Sequence, residues 1–307
     1  MAKLAVRLYL FDITTGNLLQ KFIAPDGDTF DFFGFSVALT ENKALIGSLL
    51  GDGNEEDSGS AYLFDLNTGN FIQELTAPDG ATEEEFGSAI AIDGDKALIS
   101  SRADGDNGLR SGSAYLFDLN TGNLLQKFTA PDGNSDDEFG FSVAIDGGKA
   151  LIGARGDEDN GELSGSAYLF DITTGSLIQK FIAPDGVIED EFGFSVALEG
   201  NNALIGSRFN FDNGKQSGSA YLFDITTGNL VEKFTDPNGG FNDEFGVSVA
   251  IDGSNILIGA SGDEDNGEFS GSAYLFNTEP VPEPSTLFGI GLVLGLGNLS
   301  LKRKRKG

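Results

Sequence analysis

Residues 139–171 read FGFSVAIDGGKALIGARGDEDNGELSGSAYLFD, and the fold turns on whether that stretch is unique or one copy of several. It is a copy. The string YLF begins at Tyr9, Tyr62, Tyr115, Tyr168, Tyr221 and Tyr274, always 53 residues after the last. The pair FG begins at Phe33, Phe86, Phe139, Phe192 and Phe245, on the same interval. APDG, or its variant DPNG at Asp236–Gly239, keeps that beat, and no copy carries an insertion. A strict interval of this length marks an architecture whose units hide their apolar faces against one another.

One unit reads as four short strands, a to d: residues 139–146, 149–154, 165–171 and 176–184. DGGK gives a tight hairpin between a and b, and TTGS one between c and d, with Gly supplying the positive φ. Pro184 ends strand d, because it has no N–H for a ladder. In strand a, Phe141, Val143 and Ile145 point one way, Ser142 and Ala144 the other. Strand c is apolar on both faces, with Ala167 and Leu169 opposite Tyr168 and Phe170, so it needs a neighbour on each side. Gln179 and Lys180 mark strand d as an exposed edge. Together these predict an all-β protein, a β-propeller of four-stranded antiparallel blades numbering about five. A β-solenoid is the alternative, but its coils are usually shorter and it lacks hairpin turns. The N-terminus supplies only c and d, and the last unit only a, b and c. Either the N-terminal d (residues 17–25) closes a five-bladed ring and leaves its own c strand surplus, or the ring is open.

The whole chain has 307 residues, with 48 acidic against 19 basic residues, a formal net charge of −29. A body that acidic repels nucleic acid and anionic lipid, so neither is expected as its partner. There is no Cys and no His, which excludes disulfide and thiol chemistry and the commonest transition-metal ligand. Any metal here would be a hard cation held by oxygen, calcium or magnesium.

Three groups of acids invite a chemical reading. Aligned by period, the b–c connections carry Asp104, Asp106 and Asn107, then Asp157, Asp159 and Asn160, and finally Asp263, Asp265 and Asn266. A D-x-D-N-G run can fold its oxygens around calcium, but DNG also turns a chain with no ion. The first unit has Gly51 and Gly53 at both acid positions and should still turn, which favours the turn. The acids before strand a, in residues 83–85, 135–138 and 189–191, could in principle serve glycoside hydrolysis. A solvated rim loop is the simpler reading, because nothing marks one unit as special. RGD at Arg155–Asp157 occurs in one unit and reads as chance.

The repeat ends near Asn277. Residues 278–286 form a Pro-rich linker, and residues 287–307 an apolar run followed by Lys302, Arg303, Lys304, Arg305 and Lys306. The uncharged stretch of 17 residues from Ser285 to Leu301 would make a helix of about 26 Å, slightly short of a ~30 Å hydrocarbon core. A single transmembrane helix with its basic end in the cytoplasm is the expectation.

The units resemble FG-GAP repeats, the modules of integrin α-chain propellers and of many bacterial surface proteins. FGFSVAIDGGKALIGA (Phe139–Ala154) followed by SGSAYLFD carries the likeness, across roughly residues 1–277. The resemblance implies a non-enzymatic propeller for adhesion or ligand binding. Many FG-GAP units hold calcium in a DxDxDG loop between a and b; here that loop is only DGGK or DGDK, so that site does not carry over. The tail resembles a PEP-CTERM sorting signal, in the order Val281, Pro282, Glu283, Pro284, Ser285, apolar span, basic cluster. This implies export to the envelope of a Gram-negative-type bacterium, an exosortase as partner, and processing near Pro282–Pro284. The first residues, MAKLAVRLYLFD, make a poor signal peptide, since Arg7 breaks the apolar run. They align with strand c instead, so a truncated reading frame is expected. The functional expectation is an exported surface propeller binding a ligand such as polysaccharide. The alternatives are a calcium-dependent carbohydrate-acting enzyme on the same scaffold and a gene remnant.

Overall fold

The structure, a computed structural model, describes residues 7–278 except 29, 213–214, 265–266 and 268–269. The described residues form strands and turns, with no helix. A half-unit comes first, with β1 (Leu8–Phe11) and β2 (Leu18–Phe22). The first complete sheet has β3 (Phe33–Leu39), β4 (Lys43–Ser48), β5 (Ser60–Asp65) and β6 (Phe71–Leu75). The second has β7 (Phe86–Asp93), β8 (Lys96–Ser101), β9 (Ser113–Asp118) and β10 (Leu124–Phe128). The third has β11 (Phe139–Asp146), β12 (Lys149–Ala154), β13 (Ser166–Asp171) and β14 (Leu177–Phe181). The fourth has β15 (Phe192–Glu199) and β16 (Asn202–Ser207), a small hairpin of β17 (Phe211–Asp212) and β18 (Lys215–Gln216), then β19 (Ser219–Asp224) and β20 (Asn229–Thr235). The last has three strands, β21 (Phe245–Asp252), β22 (Asn255–Ala260) and β23 (Ser272–Asn277).

Every sheet is antiparallel in simple sequence order, as consecutive hairpins dictate. These are sheets consistent with propeller blades. From the second complete sheet on, the first strand of each lies against the first three blade strands of the sheet before it. One junction shows what holds the pair. Leu98, Ala114, Leu116 and Phe128 from one face of the second sheet meet Phe139, Ile145, Ile152, Tyr168 and Phe170 from the opposite face of the third. Phe139 sits edge-on to Tyr168 at 5.5 Å and to Phe170 at 6.1 Å, a favoured aromatic arrangement. Equivalent residues fill the other junctions.

The FG and IGA signatures have one shared cause. Gly193 adopts φ +88° and turns its carbonyl back into the preceding sheet, where Gly153 of β12 has no Cβ to obstruct it. Ser142 Oγ donates to that same carbonyl at 2.8 Å. A side chain at Gly153 would strike the carbonyl, and a side chain at Gly193 would strain the turn that aims it.

One of the two arrangements left open for the chain ends is excluded, and one reading of strand d needs correcting. The N-terminal strand d does not complete the last sheet: β2 pairs with β1, and the outer edge of β23 carries no strand among the described residues. The correction concerns strand d itself. Leu177 and Ile178 are the exposed residues of β14, while Lys180 turns inward. The expected transmembrane helix lies outside the described residues, among which no helix is long and apolar enough to cross a membrane.

Candidate functional site

The b–c connections fold around one acidic side chain each. After β8 the chain turns so that Asp104 is buried, its carbonyl accepting from Gly112 N–H at 2.9 Å and from Ser111 Oγ at 3.2 Å. Its carboxylate accepts from Asp106 N–H at 3.0 Å. Asn107 is spent on the turn as well, donating to Ala130 O at 3.3 Å. Tyr115 on β9 points its hydroxyl at Asp104 Oδ2 and at Asp79 Oδ1, both at 2.9 Å.

The centre of the cluster is a lysine. Lys127 Nζ on β10 reaches Asp79 Oδ2 at 2.8 Å, Asp104 Oδ2 at 3.1 Å and Asp106 Oδ2 at 2.6 Å. It also lies 5.0 Å from the Tyr115 ring centroid, within range of a cation–π contact. The next sheet repeats the arrangement. Lys180 Nζ meets Asp132, Asp157 and Asp159 at 2.8, 3.0 and 2.6 Å, and Tyr168 donates to Asp132 and Asp157. Asn160 donates to Ala183 O at 3.2 Å. In the fourth complete sheet Lys233 joins Asp185 at 2.7 Å and Asn210 Oδ1 at 3.1 Å.

Ionisation follows the geometry. Burial acts to raise Asp79 and Asp132, but donation from lysine and tyrosine more than offsets it and holds both below the usual carboxylate range. Burial acts to lower Lys127 and Lys180, and the surrounding carboxylates push them up instead. Burial and the adjoining acids keep Tyr115 and Tyr168 protonated well past their ordinary range. Asp79 and Asp132 are therefore held ionised, and Lys127 and Lys180 held protonated, by the contacts they make with one another.

The aspartates read as calcium ligands in two consecutive sheets thus converge on an ammonium, while Asn107 and Asn160 do not. Among the described residues no group of three or more acids is arranged to hold a metal ion. Asp263 is buried, with Tyr274 donating to it at 2.5 Å and to Asp236 at 2.9 Å. Asp265 and Asn266 lie outside the described residues, as do the sorting residues Val281–Ser285 and the basic cluster Lys302–Lys306.

The first complete sheet supplies an internal control. Glu74 stands where the next three sheets have lysine, and Gly51 and Gly53 stand where the second and third have aspartates. Where the central charge is reversed, the two loop acids are gone and only Asp26, the equivalent of Asp79, remains near it. Ser60 Oγ donates to Glu74 at 2.6 Å, and burial raises the Glu74 carboxyl. This joint replacement was present in the sequence and was the signal that could have identified the lysine without coordinates.

The acids before strand a are also more than a solvated rim. Asp137, Glu138, Asp190 and Glu191 are buried. Glu138 binds Arg155 at 2.6 Å and Arg110 at 2.7 Å, and Glu191 binds Arg208 at 2.6 Å. Arg155 and Arg208 lie over Phe141 and Phe194 at 4.2 and 4.1 Å. Asp137 accepts from Asn134 N–H at 2.7 Å, and burial pushes it up to about 6. Arg155 and Asp157 are both committed to internal pairs, so the RGD string is not displayed as a loop.

Comparison with protein families matches the FG-GAP repeat five times, at residues 17–64, 70–117, 123–170, 176–223 and 229–276. The chain belongs to the FG-GAP repeat family. Each match runs from strand d of one sheet through strand c of the next, so the sequence unit straddles a junction between sheets. Residues 280–305 match the PEP-CTERM protein-sorting motif. That motif implies recognition by an exosortase-type enzyme and export to the cell envelope of a Gram-negative-type bacterium. No curated protein matches the chain.

Proposed function

We propose that this FG-GAP protein is a non-enzymatic surface propeller that binds an extracellular ligand, with polysaccharide the leading class. Its PEP-CTERM tail hands it to an exosortase for anchoring and processing. The observation that carries this reading is the sameness of the units. Each strand d leaves a pair of apolar side chains exposed at its start, Leu124 and Leu125, Leu177 and Ile178, Leu230 and Val231. A catalytic centre normally sets one unit apart, whereas repeated identical contacts suit weak multivalent binding. The acidic clusters support the reading from the other side: their charges are consumed in holding loops.

Two experiments test it. In an exosortase-bearing host, the chain fused behind a cleavable export signal should reach the surface in a shortened form. A variant with Pro282, Glu283 and Pro284 all changed to Ala should stay full length in the inner membrane. Identical distributions would refute the sorting role. On a glycan array the purified chain should bind without release of reducing sugar; turnover would refute the non-enzymatic role.

A further inference from the structure

The strands repeat almost unchanged from sheet to sheet, but the loops at the junctions do not, and one position decides whether a junction is open or closed. Asp57, Arg110, Leu163 and Gln216 follow one another at the 53-residue interval in the b–c connections. The first three hold φ between +54° and +58°, a left-handed backbone that glycine adopts freely and a bulky side chain adopts under strain. Three different side chains stand there where glycine would relieve the strain, and strain of this kind clusters at functional sites. Between the second and third complete sheets, Arg110 crosses the junction to Glu138 at 2.7 Å and plugs it. Between the third and fourth, Leu163 takes that place and cannot pair with Glu191, the equivalent acid. A cleft of about 340 Å³ opens there, reaching the loop before β21, and it falls within the size range of small-ligand pockets.

We infer that this cleft is a subsite for an uncharged stretch of polysaccharide. The inference rests on the glycan-binding reading above and gives that binding a place. Leu163, 37% exposed, and Phe209 supply apolar surface for the face of a sugar ring. The Phe209 wall is rigid, because Arg208 lies over its ring at 4.4 Å and is itself fixed by Glu191 at 2.6 Å. Exposed Glu189 and Asn242 and half-buried Gln216 line the same cleft. One carboxylate and two amides offer acceptors and donors together, the set that adjacent sugar hydroxyls require. Glu191 and Glu244 are engaged by Arg208 and by the Ser261 hydroxyl. The ligand is uncharged because Glu189 and a net charge of −29 repel uronates and sulfates. A counterpart cleft of about 350 Å³ between the first and second complete sheets has Asp57 and Ala103 where this one has Leu163 and Phe209, so it lacks the ring.

The plugged junction supplies the test. Leu163→Arg puts an arginine where Arg110 stands, on the same left-handed backbone, facing Glu191 as Arg110 faces Glu138. Full-length wild type and variant, in mild detergent, are applied to an array of neutral hexose and pentose oligosaccharides beside oligogalacturonate and sulfated glycans. The wild type should prefer neutral members, and Leu163→Arg should weaken that binding by about tenfold or more with the unfolding midpoint unchanged. Gln216→Ala/Asn242→Gly removes both amides, keeps the Asn242 N–H to Gln216 O bond at 2.9 Å, and should weaken binding several-fold. That variant carries the test if Leu163→Arg misfolds. Binding that survives both variants, or that is lost instead in Leu177→Asp/Ile178→Asp on β14, would overturn the cleft and leave the glycan-binding reading standing. A preference for the charged glycans would overturn the uncharged class. A wild type that binds no member of the array would overturn the inference and the reading together.

Discussion

Strands β13 and β23 are nearly the same peptide, SAYLFD at Ser166–Asp171 and SAYLFN at Ser272–Asn277. In β13 the first five residues are buried; in β23 exposed and half-buried residues alternate. Their hydrogen-bonded partners on the inner side are equivalent. What differs is the company. β13 has a strand d beside it and a sheet on each face, whereas among the described residues β23 has no strand on its outer edge and a sheet on one face only. Local sequence therefore decides that a strand forms, and the neighbours decide how much that strand stabilises. This is how a repeat array distributes its stability.

The comparison is most easily broken at its leucines. Leu169→Ala empties a fully buried site and should cost about 2–5 kcal/mol. Leu275→Ala, at the equivalent but exposed position, should cost less than about 1 kcal/mol. Equilibrium denaturation of each variant reads the difference; equal costs would contradict the neighbour argument.

The lysines sharpen it next. Lys180→Ala leaves buried Asp157 without its counter-charge and should cost about 2–3 kcal/mol. Lys21 holds the matching position on β2 but makes no ion pair among the described residues, so Lys21→Ala should change stability by less than about 0.5 kcal/mol. Lysine already occupies the Asp104 and Asp157 clusters, so millimolar calcium titrated into the full chain should give the same heat as into a variant with Asp104, Asp106, Asp157 and Asp159 changed to Asn.

The smallest effect is a pH dependence confined to the interior. Asp137 titrates near 6 when folded, above its unfolded value, so the folded state binds its proton more tightly. That contribution is present below about pH 4 and is lost as pH rises through 6. Asp137→Asn keeps an acceptor for the Asn134 N–H and should flatten the stability profile between pH 4 and 6, by about 1–2 kcal/mol. Asp79 and Asp132 run the other way, since their folded values are depressed; their contribution is present above about pH 4 and lost as pH falls through the folded values.

The unit was legible in the sequence because its signals are local. Strands β11 and β12 fall where Phe139–Asp146 and Lys149–Ala154 were read, since DGGK fixes both the turn and the register. The strand inventory at both ends was legible for the same reason. The partners of β2 and β23 were not, because a period counts units and says nothing about which edge pairs with which. Lys180 was misread because an alternating strand normally turns its charges to solvent. Here three aspartates from two loops draw the ammonium inward, a convergence that no single stretch of chain displays. The buried Glu138 escaped for a similar cause: Arg155 reaches it from beyond the far end of β12 and Arg110 from the preceding sheet.

Hydrogen exchange resolved by strand, on the dilute full chain, tests the central claim most directly. Protection should peak in β12, β13 and β16, fall toward both ends, and be least in β1, β2 and β23. If β23 were protected as strongly as β13, burial by neighbours would not be what holds these strands, and the account would fail.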